Sequence, residues 1–198
     1  MRAGRCGWQH PLVGGRCFGD GSPVYEAYHD EEWGRPRRTE QALYEKICLE
    51  GLSAGLSWLT VLRKRAAFRA AFADFDPDTV ARFDGIGHLL SDRALIRSAP
   101  KLSACVRNAR ATVSLRAEGG LVELLWASAE VPSPVRHRWS DVPAATPAST
   151  ALAGRLRRAG FTFVGPVTVY SLLQACGLVN DHLLSCPVRA DVERERLG

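Results

Sequence analysis

The stretch Ser91-Asp92-Arg93-Ala94-Leu95-Ile96-Arg97-Ser98-Ala99-Pro100-Lys101 closes one helical pattern and opens another. Before it, Gly85-Ile86-Gly87 starts a short piece carrying Leu89 and Leu90; after it, Leu102, Val106, Ala109 and Val113 recur at the helical period. Two helices joined by a tight turn are expected. The start of the second helix leaves backbone N–H groups free, which is an anion site in its own right. Arg93, Arg97, Lys101, Arg107 and Arg110 gather around it. Taken alone, the segment reads first as a helical hairpin with a solvated basic face.

Helical patterns and breaks continue in both directions. Toward the N-terminus, a helix is expected from about Thr39, and Leu43, Ile47 and Glu50 fall at i, i+4 and i+7 on its core face. A second, from about Leu56 to Ala73, collects Trp58, Val61, Leu62, Phe68 and Phe72 on one side, and Asp76-Pro77 starts a short third. Toward the C-terminus, a short turn is expected near Leu121 to Trp126, then a proline-rich connection to Thr150. Thr146-Pro147 and Ser149 start a helix from Leu152 to Arg158 that Gly160 ends, and Gly165-Pro166 opens an apolar helix through Val169, Leu172, Leu173 and Cys176. Strand-type alternation is nearly absent, so the chain is expected to be all-α. One unit over 1–198 is expected, with an ordered loop region at 5–36, a helical body at 39–186 and a polar tail at 187–198.

A chain of 198 residues is long enough for one substantial core. Its net charge of +5 fits a polyanion-binding surface, although an arginine-rich proteome gives the same figure. Lysine occurs only as Lys46, Lys64 and Lys101, so guanidinium carries nearly all the positive charge and Schiff-base chemistry has few candidates. No secretory signal or membrane-spanning run is visible, which points to the cytoplasm. In a reducing compartment the six cysteines are buried thiols or metal ligands rather than disulfides. Cys48, Cys105 and Cys176 fall within apolar helical patterns; Cys6, Cys17 and Cys186 do not.

Two groups of residues carry chemistry. In Cys48-Leu-Glu-Gly-Leu-Ser-Ala-Gly-Leu-Ser-Trp58, a carboxylate ends an apolar helical pattern and an indole follows two glycines. A buried carboxylate is costly unless paired, and a cationic or hydrogen-bond-donating ligand would pair it, with Trp58 as a stacking face. A capping Glu and a core Trp are the plain alternative. His182 and Cys186, four apart, point the same way on one helical turn, with Cys6 and His29 as further candidates for tetrahedral zinc. Four protein ligands would close the metal to water and make it structural; scattered interior residues are the alternative.

The blocks Arg5-Cys6-Gly7-Trp8, Tyr25-Glu26-Ala27-Tyr28-His29-Asp30-Glu31-Glu32-Trp33-Gly34, Cys48 to Trp58, Phe161 to Gly165 and Gln174 to His182 closely resemble the 3-methyladenine DNA glycosylase I family, in the same order. The resemblance implies an all-α helix-hairpin-helix glycosylase that flips out and excises alkylated adenine from double-stranded DNA, releasing 3-methyladenine and leaving an abasic site. It implies one structural zinc on Cys6, His29, His182 and Cys186. It places Glu50, the catalytic candidate, in a base pocket with Tyr28 and Trp58, and with Trp8, Tyr25 and Trp33 as further walls. Arg93, Arg97 and Lys101 are then the DNA-binding candidates, and a nucleoid-associated monomer is expected.

Two departures from the family bear on this. A longer glycine-rich loop contains Cys17, a rival ligand to the preferred Cys6, and the hairpin carries Ala94 and Pro100, where a positive φ at 94 would strain alanine. Three other readings compete: a strand-nicking bifunctional enzyme using Lys101, a zinc-stapled module that binds damaged DNA without excision, and a zinc hydrolase. Leu56 is placed to wedge into the duplex.

Overall fold

The structure, a computed structural model, describes residues 15–198. Among these, the regular elements are helices, with one isolated bridge between Arg136 and Leu183. They are α1 (Pro23–Glu31), α2 (Glu40–Ser53), α3 (Trp58–Ala71), α4 (Pro77–Ala81), α5 (Gly87–Ser91), α6 (Ala99–Leu115), α7 (Gly120–Trp126), α8 (Pro147–Arg158), α9 (Pro166–Ala175) and α10 (Arg189–Leu197).

Local chemistry sets most of these boundaries. The Thr39 hydroxyl accepts from Ala42 N–H at the start of α2, Ser57 from Thr60 N–H at α3, and Asp76 from Thr79 N–H at α4. Thr146 and Ser149 cap each other's backbone at α8. After α3 the chain runs through three left-handed residues, Ala73, Asp74 and Phe75. That conformation is costly for L-residues, and the fully buried Phe75 ring, stacked on Phe72 and edge-on to Tyr44, offsets it.

Helix α2 is buried along most of its length and packs against α3, α6, α7 and α9. The chain just before it meets the returning C-terminal segment at a close crossing. Gly34 has φ +83°, and a Cβ there would stand 3.0 Å from His182 Nε2. Gly177 has φ +75°, and a Cβ there would lie 2.6 Å from the Gly34 carbonyl oxygen. Glycine is required at both positions.

Two expectations are corrected. The region 5–36 is not loop throughout: α1 occupies Pro23–Glu31 and presents Tyr25, Tyr28 and His29 from one face. Residues 187–198, expected as a polar tail, carry the helix α10, which buries Val192 and Arg196. The Arg196 guanidinium donates to the Leu178 and Glu130 carbonyls at 2.9 Å each, stapling the helix to the turn after α9.

Candidate metal centre and aromatic pocket

Cys17, His29, His182 and Cys186 are all buried, and their donor atoms lie within 4.8 Å of one another. His182 Nδ1 is 3.5 Å from Cys17 Sγ and 3.4 Å from Cys186 Sγ, and His29 Nε2 is 3.6 Å from Cys186 Sγ. A zinc tetrahedron with ordinary Zn–S and Zn–N bonds has N···S edges of roughly 3.6 Å, so the donors already stand at tetrahedral spacing. The outward-facing ring nitrogens are held as metal-binding histidines require. His29 Nδ1 lies 2.7 Å from Asp30 Oδ1, and His182 Nε2 lies 3.0 Å from the Trp33 carbonyl oxygen. Arg16 fixes Asp30 through a bidentate contact at 2.7–3.0 Å, and Leu183 N–H donates to Cys17 Sγ.

Hydrogen bonding from Cys17, then from the imidazoles, holds Cys186 far below the usual thiol range. Cys186 and burial push Cys17 up. A divalent cation stabilises both as thiolates, and its four positions would be filled by protein. His182 and Cys186 are not on a helical turn as expected; an irregular turn that starts at the Arg136 bridge carries them.

Three of the four expected ligands meet here. Cys6 lies outside the described residues, and the thiol that completes the set is Cys17. The dipeptide Arg-Cys occurs twice, as Arg5-Cys6 and Arg16-Cys17. The shorter separation of the second from His29 was the available signal.

Next to this centre, Phe18 packs edge-on to Trp33 at 4.9 Å and to His29 at 5.0 Å, and tilts against Tyr25 at 5.2 Å. Tyr28 and Trp58 follow, with ring centroids 5.3 Å apart and planes inclined at 45°. A flat base cannot slide between rings that already touch, so these two form a continuous wall rather than a sandwich. Trp8 lies outside the described residues. Phe18 and Trp139, which meets Phe18 at 6.0 Å and Trp33 at 6.2 Å, extend the aromatic cluster and were not anticipated.

Glu50 sits at this wall, buried, and its carboxylate accepts no hydrogen bond among the described residues. Burial pushes its carboxyl up to about 7, with Lys46 one helical turn earlier pulling the other way. Its charge reaches both neighbouring phenols: burial first, then Glu50, raises Tyr28, and burial, then Asp20, then Glu50 raises Tyr25. Lys46 is buried too, with its ammonium 4.9 Å from the Tyr28 ring centroid and 5.7 Å from that of Trp58. The site is therefore a carboxylate and an ammonium against a wall of aromatic faces.

In the hairpin, Ala94 is absent from the residues with positive φ, so alanine carries no strain there. Pro100 fits the first turn of α6, where a missing N–H costs nothing. No side chain caps the start of α6, and Arg93 and Arg97 are exposed beside it. Lys101 is not free in the same way: its ammonium donates to the Leu52 and Ala54 carbonyls at the end of α2. Lys64 is similarly engaged, with the Arg93 and Ala94 carbonyls. Leu56 is exposed in the loop between α2 and α3.

The model of the methyladenine glycosylase family matches residues 18–190. DNA-3-methyladenine glycosylase 1 of Escherichia coli (strain K12) is 42% identical over 187 residues, covering 92% of this chain and 95% of that protein. A crystal structure of 3-methyladenine DNA glycosylase I superposes with a TM-score of 0.83 at 40% identity, covering 93% of this chain and 98% of that one. A Tyr→Phe variant of 3-methyladenine DNA glycosylase I, solved in complex with 3-methyladenine, gives 0.84 at 35% identity over 89% of this chain and 98% of that one. The match begins just after Cys17 and takes in His29, His182, Cys186, the aromatic wall and the hairpin, and the chain belongs to the methyladenine glycosylase family.

Proposed function

We propose that the protein excises 3-methyladenine from alkylated duplex DNA by hydrolysis of the N-glycosidic bond, and that it does so without cutting the strand. The observation that carries this reading is Glu50, buried, accepting no hydrogen bond among the described residues, and close enough for its charge to act on Tyr28, whose ring meets Trp58. The relative solved with 3-methyladenine supports the same substrate.

The chemistry follows from the lesion. A 3-methylated adenine in DNA is cationic, so its glycosidic bond is already weakened. When that bond breaks, its electron pair goes to the base, which leaves neutral; water adds to the sugar carbon and releases a proton. The protein therefore has to recognise more than it has to protonate. A damaged base is cheap to unstack, and stacked on the Tyr28 and Trp58 faces its positive ring gains on the order of 1–2 kcal/mol. Glu50 accepts from the exocyclic amine and favours a cationic ring over a neutral adenine. The Glu50 carboxylate is also the group available to orient the attacking water. Tyr25, Trp33 and Phe18 close the wall behind.

Cys17, His29, His182 and Cys186 would hold one zinc ion. That ion would supply structural cross-linking, and with four protein ligands it would keep no open position, which argues against a zinc hydrolase. On the DNA side, the N-terminus of α6 and the Arg93 and Arg97 side chains contact phosphates, and Leu56 enters the gap left by the base. Lys64 and Lys101 donate to backbone carbonyls, which supports a glycosylase without strand cleavage at the hairpin. No described helix is long and apolar enough to cross a membrane, and we place the enzyme in the cytoplasm as a monomer on nucleoid DNA.

The test is chromatographic detection of 3-methyladenine released from methylated duplex DNA, with strand nicking followed in parallel. Nicking without alkali would end the monofunctional part of the proposal. Full duplex affinity with no base release would favour a damaged-DNA-binding module instead.

A further inference from the structure

Lys46 lies against the same Tyr28–Trp58 wall but has no part in the base recognition proposed for Glu50. It is only 4% exposed, and its Nζ has no hydrogen-bond partner among the described residues. The nearest carboxylate oxygen, Glu32 Oε2, is 3.6 Å away and already receives Arg65 at 2.6 Å. The ammonium instead rests over the rings of Tyr28 and Trp58. Trp58 Nε1 is likewise buried without an acceptor among the described residues. An unmade hydrogen bond at a buried donor is costly, and both orphaned donors surround the same aromatic wall.

The donor and acceptor pattern defines a ligand edge. Glu50 requires a donor; Lys46 and Trp58 require acceptors. In 3-methyladenine the exocyclic amine is flanked by N1 and N7, each with a lone pair, and the methyl group lies on the opposite side of the ring. Amine to carboxylate thus brings a ring nitrogen toward the ammonium. We propose that Lys46 is a specificity-determining residue that donates to the ring-nitrogen lone pair adjacent to the amine held by Glu50. A purine alkylated on that nitrogen presents a methyl group to Lys46 and is refused, so the pocket selects purines alkylated away from the amine edge. This rests on the pocket being the base site. Burial, the main effect lowering the Lys46 ammonium, makes a hydrogen bond from the ligand worth more there.

The probes are 3-methyladenine and its 1-deaza and 7-deaza analogues, in which C–H replaces one ring nitrogen, titrated by tryptophan fluorescence against the full-length protein. Against the wild type, one of the two replacements should weaken binding about tenfold or more, the usual effect of losing a charged hydrogen bond. Against Lys46→Met the same replacement should cost nothing, and Lys46→Arg should restore part of the discrimination. Equal affinity of the wild type for all three bases overturns the proposal, and that arm needs no variant to fold. An equal loss in wild type and Lys46→Met also overturns it, by assigning the contact to another donor. Failure of 3-methyladenine itself to bind, with no base release from methylated DNA, would refute the pocket reading instead.

Discussion

Glu50→Gln separates the energetic cost of the pocket from its use. In the folded chain burial carries the Glu50 carboxyl from an ordinary 4.5 to about 7. The folded state thus holds this proton more tightly than the unfolded state, so stability falls as pH rises from about 4.5 to about 7 and is level above it. At about 1.4 kcal/mol per pH unit, the ionised carboxylate costs the fold roughly 3 kcal/mol at pH 8. Glutamine does not titrate, so whatever its amide costs is the same at every pH. Thermal unfolding of both proteins from pH 4.5 to 8 should show the variant gaining on the wild type with rising pH. For a chain of this size the relative gain is about 6–12 °C. Base release should fall in the same variant. Parallel curves of Tm against pH would refute the reasoning, because they would mean that the carboxylate is solvated or paired in the fold.

Other outcomes follow from the geometry. Cys17→Ser should drop bound zinc below one equivalent and lower Tm, whereas Cys6→Ser should leave the metal content at one; metal analysis of the purified variants decides between the two thiols. Gly34→Ala places a methyl 3.0 Å from His182 Nε2 at a positive φ, and denaturant unfolding should show a loss of about 1–3 kcal/mol together with weaker zinc retention. Arg93→Ala and Arg97→Ala should each weaken duplex binding whatever its sequence and flatten the salt dependence by about one charge. Lys101→Ala should instead lower Tm, since that ammonium binds the end of α2 rather than phosphate.

The helices that carry the core were legible because their apolar spacing and their caps agree: α2 begins after Thr39, α4 after Asp76 and α8 after Thr146, where the side chains predict. Helices α1 and α10 were not, for related reasons. Helix α1 spends its buried face on Tyr25, Tyr28 and His29, residues chosen for a site, so its pattern is polar. Helix α10 buries a valine and an arginine whose guanidinium is satisfied by distant carbonyls, a tertiary effect with no local signature. Glu50 was legible from its position on the core face of α2, whereas the contact between the Tyr28 and Trp58 rings depends on how α1 meets α3. The candidate metal cluster was legible in three of its four residues; two Arg-Cys pairs compete for the fourth position, and beyond the shorter separation of Cys17 from His29 it is packing against His182 that identifies Cys17. Lys46 appeared to be one lysine among three until its burial was known.

Release of free base from methylated DNA is the most direct measure of what the site does. Purified protein carrying one equivalent of zinc, incubated with methylated duplex DNA, should release free 3-methyladenine that Glu50→Gln releases far more slowly, with the strand left intact. Release of no 3-methyladenine by the wild type, or equal release by the variant, would contradict it.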